Sequence, residues 1–206
     1  MSLLLPLLAC LTMLGFLPPT SPDLFDEIYA KSRDREKSLQ TMRARFVETT
    51  VSTLLVEPLV ARGTVIAKRP LRVRLEYQSP EKKVVILDER RLTVVWTDRA
   101  EREDLALAAL AERVDRYFTR ASLKELRAHF EISAVPDAQS PGSYRVEMVP
   151  KRKQIREGLE RLELWLNGET FLPFRMRMTF PGGDSKTLSF EALEVNVEAP
   201  EALFER

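Results

Sequence analysis

The stretch Gly63–Tyr77, GTVIAKRPLRVRLEY, decides how the chain folds. Leu71, Val73, Leu75 and Tyr77 alternate with Arg72, Arg74 and Glu76, a period of two that makes one face apolar and the other charged. Such a segment reads as a half-buried antiparallel strand with a wet outer face. A shorter run, Gly63 to Lys68, leads into it through Arg69 and Pro70. Pro70 pushes Arg69 out of the helical region, and the alternation puts Arg69 on the face of Leu71 and Val73. An arginine there either snorkels to water or needs partners, because an unpaired buried charge is costly.

Outward from this strand the alternation continues. Ser79-Pro80 makes a turn, and Val84 to Leu87 and Leu92 to Thr97 form a hairpin around Asp88 to Arg91. On the N-terminal side, Asp23 opens a helix that is expected to reach about Thr49, with Leu24, Ile28, Leu39, Met42 and Phe46 on its apolar side and a polar middle from Lys31 to Lys37. Val51 to Val60 reads as extended, with a bend or edge at Glu57-Pro58 because proline cannot donate to a ladder.

Arg102 to Phe130 reads as the one long helical block within the strand-rich body. Leu107, Leu110, Ala111, Val114 and Phe118 fall at helical spacing, and Ser122 with Glu125 forms a capping box for a second helix bearing Leu123, Leu126 and Phe130. The late chain returns to period two. Tyr144, Val146 and Met148 form one set, and Leu162, Leu164 and Leu166 another before the Asn167-Gly168 turn. Phe174, Met176, Met178 and Phe180 alternate with Arg175, Arg177 and Thr179, so these four are expected to share an inward face. Leu188 and Phe190 are followed by Leu193, Val195 and Val197 on the opposite parity. Between the first and second of these sets, Pro150 to Arg156 is a basic bend that reads either as a solvated turn or as a contact for an acidic partner or anionic head groups.

Roughly nine to eleven strands follow, antiparallel by their short turns. The predicted fold is α+β, mostly β: one strongly curved antiparallel sheet, a half-open barrel, with amphipathic helices over its concave side.

The chain has 206 residues, with 32 basic against 31 acidic side chains and a net charge of +1. That balance argues against a nucleic-acid binder, which carries a strongly basic face. With one histidine, His129, a multi-histidine metal site is excluded. Residues 1–22 read as a signal peptide whose cleavage point is open, and 23–206 as a single domain. The apolar run from Leu3 to Leu17, about 15 residues, suits a signal core and is short for a membrane span. Leu7-Leu8-Ala9-Cys10 is similar to a bacterial lipobox, so Cys10 is either lipidated or discarded with the leader.

The Lys68-Arg69-Pro70 step with Arg74 and Tyr77, the hairpin after Pro80, Met148-Val149-Pro150-Lys151, the hairpin from Leu162 to Pro173 and the terminal run from Asn196 to Phe204 together resemble the periplasmic outer-membrane lipoprotein carrier (LolA) family. The resemblance spans about Leu39 to Phe204. The chain departs from the family in having Val73 and Leu75 where aromatics are usual, and Asp88-Glu89 where the turn is usually Asp-Gly.

The resemblance implies a chaperone that moves lipoproteins from the inner to the outer membrane with their acyl chains in an apolar cavity. It implies no cofactor, a monomer, an ATP-driven inner-membrane transporter as donor and an outer-membrane acceptor. On this reading Leu71, Val73, Leu75, Met148, Phe174, Met176, Met178 and Phe180 line the cavity. Leu107, Leu110, Val114, Phe118 and Leu126 belong to lid helices, and Arg69 latches the lid by bonding carbonyls of a helix within 102–130. The alternatives are a lipid-binding sensor module of the same fold and an anchored lipoprotein acceptor, the latter favoured by lipidation at Cys10.

Catalysis is not expected. Gly182-Gly183-Asp184-Ser185-Lys186 lacks the spacing of a phosphate-binding loop and lies between strands rather than before a helix. Glu101 with Glu103, and Asp88 with Glu89, fall where carboxylates are solvated, and no set of catalytic roles can be assembled from the chain.

Overall fold

The computed structural model describes residues 23–88, 91–99, 101–106 and 121–205. In chain order these form α1 (Leu24–Lys37), β1 (Thr41–Val51), β2 (Leu59–Lys68), β3 (Arg72–Ser79), β4 (Lys83–Leu87), β5 (Arg91–Trp96) and β6 (Glu101–Ala106). After these come α2 (Leu123–His129), β7 (Phe130–Pro136), β8 (Ser143–Pro150), α3 (Lys153–Arg156), β9 (Arg161–Asn167), β10 (Pro173–Thr179), β11 (Ser185–Val195) and a short 3-10 turn, Glu201–Leu203. The strands make one curved, unclosed antiparallel sheet in the order β6-β5-β4-β3-β2-β1-β11-β10-β9-β8-β7. Strands adjacent in sequence pair with one another on either side of a single long-range seam, β1 against β11.

Registers fix the two faces. One row runs Ala134, Val146, Leu164, Met176, Leu188, Glu48, Ala61 from β7 to β2. The next rows along β1 place Phe46 between Phe190 and Gly63, and Ala44 beside Val65, which pairs with Leu75. This inner face is the one on which α1 and α2 pack. Arg74 and Glu76 point the other way, as the alternation in β3 requires. Gly63 is needed where it stands: a Cβ there would lie 2.2 Å from the Glu76 carbonyl oxygen and 2.8 Å from the Phe46 ring. The ring lies across the glycine and meets Tyr77 edge-on, with 5.0 Å between centroids.

Three expectations need correction. The first helix stops at Lys37, capped by Ser38, and does not reach Thr49. Residues 41–51 instead have sheet partners on both sides, β2 and β11, and that pairing outweighs the helical spacing of Leu39, Met42 and Phe46. The 51–60 stretch is not one extended segment but the end of β1, a connecting loop and the start of β2. The block from Arg102 to Phe130 is not helical throughout: 101–106 is strand β6 on β5, and Phe130 begins β7. The capping box does form at α2, with the Ser122 side chain accepting from the Glu125 N–H and Glu125 reaching back to the Ser122 N–H. Leu107, Leu110, Ala111, Val114 and Phe118 lie outside the described residues.

The change of parity after Phe190 is a β-bulge. Arg45 pairs with Glu191 and Arg43 with Glu194, and Ala192 takes up the extra residue at φ 50°. Beyond it the chain crosses to the outer face. There Ala199 and Phe204 bury against Ile66, Lys68 donates to the Ala199 carbonyl at 3.1 Å, and Arg74 donates to the Leu203 carbonyl at 3.1 Å.

Candidate functional site

The inner face divides in two. On the β7–β10 half, α1 and α2 bring Phe25, Ile28 and Leu126 down onto Phe130, Val146, Met148, Leu162 and Leu166, all buried, with Met176 and Met178 packed against them. The two helices hold each other. Arg127 of α2 donates to Asp23 and Asp26 at the start of α1, both at 2.5 Å, and lies 5.5 Å from the centre of the Phe25 ring. Tyr29 donates to the Ala121 carbonyl at 3.0 Å. Burial pushes the Asp23 carboxyl upward, but hydrogen bonds from Arg127 and the Asp26 N–H together hold it below its ordinary value. Between α1 and the sheet remains a cavity of about 350 Å³, walled by apolar side chains that include Ile28, Leu126, Met148 and Leu164, with Arg33 and Glu36 at its rim. That volume lies near the lower end of ligand pockets.

Arg69 stands at the other end of α1. It lies in the β2–β3 turn and donates through Nη1 to the Glu36 carbonyl at 2.9 Å, while Nη2 is 3.6 Å from the Glu36 carboxylate. Carbonyls in the last turn of a helix lack intrahelical partners and are natural acceptors; the Glu36 carbonyl also accepts from the Leu39 N–H at 3.0 Å. Among the described residues the expected kind of partner is present and belongs to α1; of the 102–130 block in which a latched helix was expected, 107–120 lie outside the described residues. Beyond this contact lies a second cavity, about 220 Å³, bordered by Leu39, Met42, Ala67, Leu71 and Val73. Glu36 borders both cavities. The Arg69–Glu36 contact therefore sits between two apolar hollows on one face of the sheet.

The second half of the inner face, around β11, β1, β2 and β3, holds a smaller cluster. Ala44, Phe46 and Val65 are buried there, with Val73, Leu75, Tyr77, Phe190 and Leu193 half-buried around them. It also holds a polar group that sequence reasoning missed. Glu48, 9% exposed, accepts from the Tyr77 hydroxyl at 2.9 Å and pairs with Lys186 at 3.0 Å. Burial, reinforced by the Glu48 charge, pushes the Tyr77 hydroxyl well above its usual range. The alternation of β1 does place Glu48 inward with Phe46 and Ala44, so the signal was there once residues 41–51 are read as strand.

Of the cavity residues expected from sequence, Met148 enters the helix-covered cluster and Met176 and Met178 border it; Leu126, expected on a lid helix, enters the same cluster from α2. Val73 and Leu75 border the second cluster, and Leu71 edges the smaller cavity. Phe174 sits at a register shift between Pro173 and Arg175, and Phe180 just past the end of β10; both are half-buried and lie outside the two clusters. On the outer face, Arg175 covers the Trp165 ring at 5.5 Å beside a polar hollow of about 620 Å³ that also takes in Arg145, Glu163 and Arg177. The basic bend is mostly exposed, and its Lys151 donates to the Arg127 carbonyl at the end of α2. Among the described residues no group of histidine, cysteine and carboxylate side chains is placed to hold a metal ion.

An unclosed sheet with an apolar inner face and hollows beside a tethered helix defines a half-barrel. Residues 37–206 match the outer membrane lipoprotein carrier protein LolA family, and the chain belongs to that family. Its fold is similar to a chain of the Pseudomonas aeruginosa MucA/MucB complex, with TM-score 0.54, 14% identity, and 87% of this chain and 60% of that one covered. It is also similar to an uncharacterized conserved protein from Thermus thermophilus, with TM-score 0.53, 14% identity, and 88% and 93% covered. A third likeness is to the lipoprotein LppX from Mycobacterium tuberculosis, with TM-score 0.52, 14% identity, and 84% and 97% covered. At such identities the likeness concerns the fold. No curated protein sequence matches the chain.

Proposed function

We propose that this protein is a periplasmic lipoprotein carrier that shelters acyl chains between α1, α2 and the inner face of its sheet, and that it is not an enzyme. The observation that carries the reading is the pair of apolar cavities, about 350 and 220 Å³, on either side of the Arg69–Glu36 contact. Parting that contact frees the end of α1 and joins the two hollows into one longer channel. The energetics suit a carrier that holds its cargo in part. A buried methylene is worth about 0.8 kcal/mol, so full burial of three long chains would pass the ceiling of about 18–21 kcal/mol on non-covalent affinity, and release would fail. A chain without a nucleotide motif needs an outside source of energy for loading, which fits an ATP-driven inner-membrane transporter as donor and an outer-membrane acceptor.

Arg69 acts on this reading as a latch that favours the empty, closed state. Its side chain is 47% exposed, so the pair is screened, and the hydrogen bond and ion pair together amount to about 1–2 kcal/mol. In a two-step assay of loading from inner membranes and transfer to an acceptor, Arg69→Leu should retain cargo about 5- to 30-fold longer than the parent. Lysine should rescue in part, lacking the planar fork. A leucine variant that loads and releases like the parent would leave Arg69 as a surface residue at a strand end.

The likeness to the MucA/MucB complex favours a second reading, a lipid-responsive module that engages a protein partner. Mass spectrometry of natively purified protein separates the two. Co-purified acylated protein and an N-terminus near Asp23 support the carrier, free lipid supports the module, and a diacylglyceryl Cys10 supports an anchored acceptor.

A further inference from the structure

Seven large apolar side chains stand exposed among the described residues, and six of them belong to one hairpin tip: Val51 at the end of β1, Leu54, Leu55 and Val56 in the loop, and Leu59 and Val60 at the start of β2. Leu54 is 91% exposed and Val56 fully so. No charged residue occurs from Thr49 to Val56, and Glu57 is the first carboxylate. Such a concentration on a soluble surface marks an interaction site.

The tip is built rather than slack. Ser52 Oγ donates to Asp184 of the neighbouring β10–β11 turn at 2.8 Å, and the Thr53 N–H donates to the same carboxylate at 3.0 Å. The Leu54 N–H bonds back to Ser52 Oγ at 3.2 Å, and the Leu55 N–H to the Ser52 carbonyl at 3.1 Å. These bonds leave the backbone satisfied on the side of the sheet and hold Leu54 and Val56 away from it, beyond the last β1–β2 ladder pair, Thr50 with Leu59.

We propose that this tip docks the protein on a lipid bilayer by inserting Leu54, Leu55 and Val56 at the boundary between head groups and acyl chains. The shape and size of the patch favour a membrane over a protein. Six side chains on a convex tip offer a few hundred Å², well short of the roughly 800 Å² per partner of a specific protein interface. A bilayer takes a convex apolar wedge with no matching groove and to a depth of about 5–10 Å. Among the described residues no helix is long and apolar enough to cross a membrane. Because the inserting residues carry no charge, and Asp184 and Glu57 stand beside them, binding depends little on salt or on anionic lipid.

The test is sedimentation of the full chain with vesicles of phosphatidylethanolamine and phosphatidylglycerol, three parts to one, free of any lipoprotein. The parent should bind at low and at high salt. Each apolar side chain removed should cost about tenfold in partitioning, so Leu54→Ser with Val56→Ser should cost about 100-fold, while Val135→Ser, an exposed valine on edge strand β7, should change it less than about twofold. In a Leu54→Trp variant the new indole should shift its emission to the blue on vesicles and be quenched by brominated acyl chains. Equal binding by the double variant, binding lost at high salt, or an indole that stays accessible to an aqueous quencher overturns the proposal. So does a parent that keeps its fold and ignores vesicles, including one that binds a protein through the tip instead. Because no acylated cargo is present, these outcomes are independent of the carrier reading.

Discussion

The two halves of the inner face are built from the same alternating strands, yet they solve burial differently. Under α1 and α2, the β7–β10 half has a closed cluster around Phe130 and Val146, which are 0% and 1% exposed. On the β11–β3 half, three buried residues are ringed by five half-buried ones, and a carboxylate shares the surface. The first half is a folding core with a hollow at its edge. The second is a firm floor whose apolar side chains remain half open. Among the described residues, what differs is the covering: a helix tethered at both ends buries the first half, and Arg69 holds its last turn.

The largest expected effect tests whether the floor is firm. Gly63→Ala places a Cβ 2.2 Å from the Glu76 carbonyl oxygen, a backbone atom that cannot yield cheaply. Urea unfolding should show a loss of about 3 kcal/mol or more. Gly158→Ala, where nothing lies within 4 Å, should change stability by less than about 0.5 kcal/mol. A Gly63→Ala protein with the parental midpoint would mean that the second half is pliable, and the contrast between the halves would disappear.

Next in size is the register of β10. Met176 lies in the row of Val146 and Leu164, against the helix-covered cluster, and its neighbour Arg175 lies on Trp165 across the sheet. Met176→Asp puts a charge into that cluster and should cost about 2–4 kcal/mol and abolish binding of a fluorescent acyl probe. Arg175→Ser removes one ring contact and should cost about 1 kcal/mol or less, with probe binding kept. Equal loss from both changes would show that the two faces of β10 are not distinct.

Much of this division could be read from the chain. Period-two alternation in β3, β8, β9 and β10 announced the sheet and the inward sides of Val73, Leu75, Met148, Met176 and Met178. The reversal of parity after Phe190 was visible as a pattern, and the bulge at Ala192 explains it. Other features were not legible because distant partners decide them. Residues 41–51 carry apolar side chains that fit a helix and a strand equally well, and only the flanking β2 and β11 make them strand. With that segment misread, the inward place of Glu48 beside Tyr77 was hidden. Arg69 was legible as a residue in need of acceptors. Which helix supplied them depended on where α1 ends, and Ser38 ends it soon enough for Glu36 to offer its carbonyl.

A smaller effect separates the two tethers of α1. Arg127 joins Asp23 and Asp26 at its first turn and is 37% exposed, so Arg127→Ala should cost about 1 kcal/mol. Amide exchange should quicken in the first turns of α1 and in α2, with β1–β3 unchanged. Arg69→Leu should do the reverse, loosening the last turn of α1 and leaving α2 protected. Exchange that rises along the whole of α1 in both variants would show that the helix moves as one body, and that Arg69 does not mark a separate boundary.

The smallest effect is a pH dependence confined to the helix-covered half. His129 ends α2, and burial lowers its pKa from the ordinary value of 6.5, with the positive charge of Arg152 acting in the same direction and Glu125 opposing in part. The unfolded chain therefore takes up the proton more readily than the folded one. The stability this contributes is complete above the unfolded value, and it is lost as pH falls through the lower folded value. Glu125 is held below its ordinary value by hydrogen bonds from the Ser122 N–H and hydroxyl, and Asp23 is also lowered, so both stay charged through that window. In the other half the Tyr77 hydroxyl is displaced upward, away from it. Amides of α2 and the start of β7, corrected for intrinsic exchange, should lose protection between about pH 7.5 and 5.5, while those of β1–β3 hold theirs. His129→Gln should flatten the first slope and leave the second alone. If both halves fall together in the parent, or the slope of α2 survives the substitution, His129 is not its source and the two halves respond to acid as one unit.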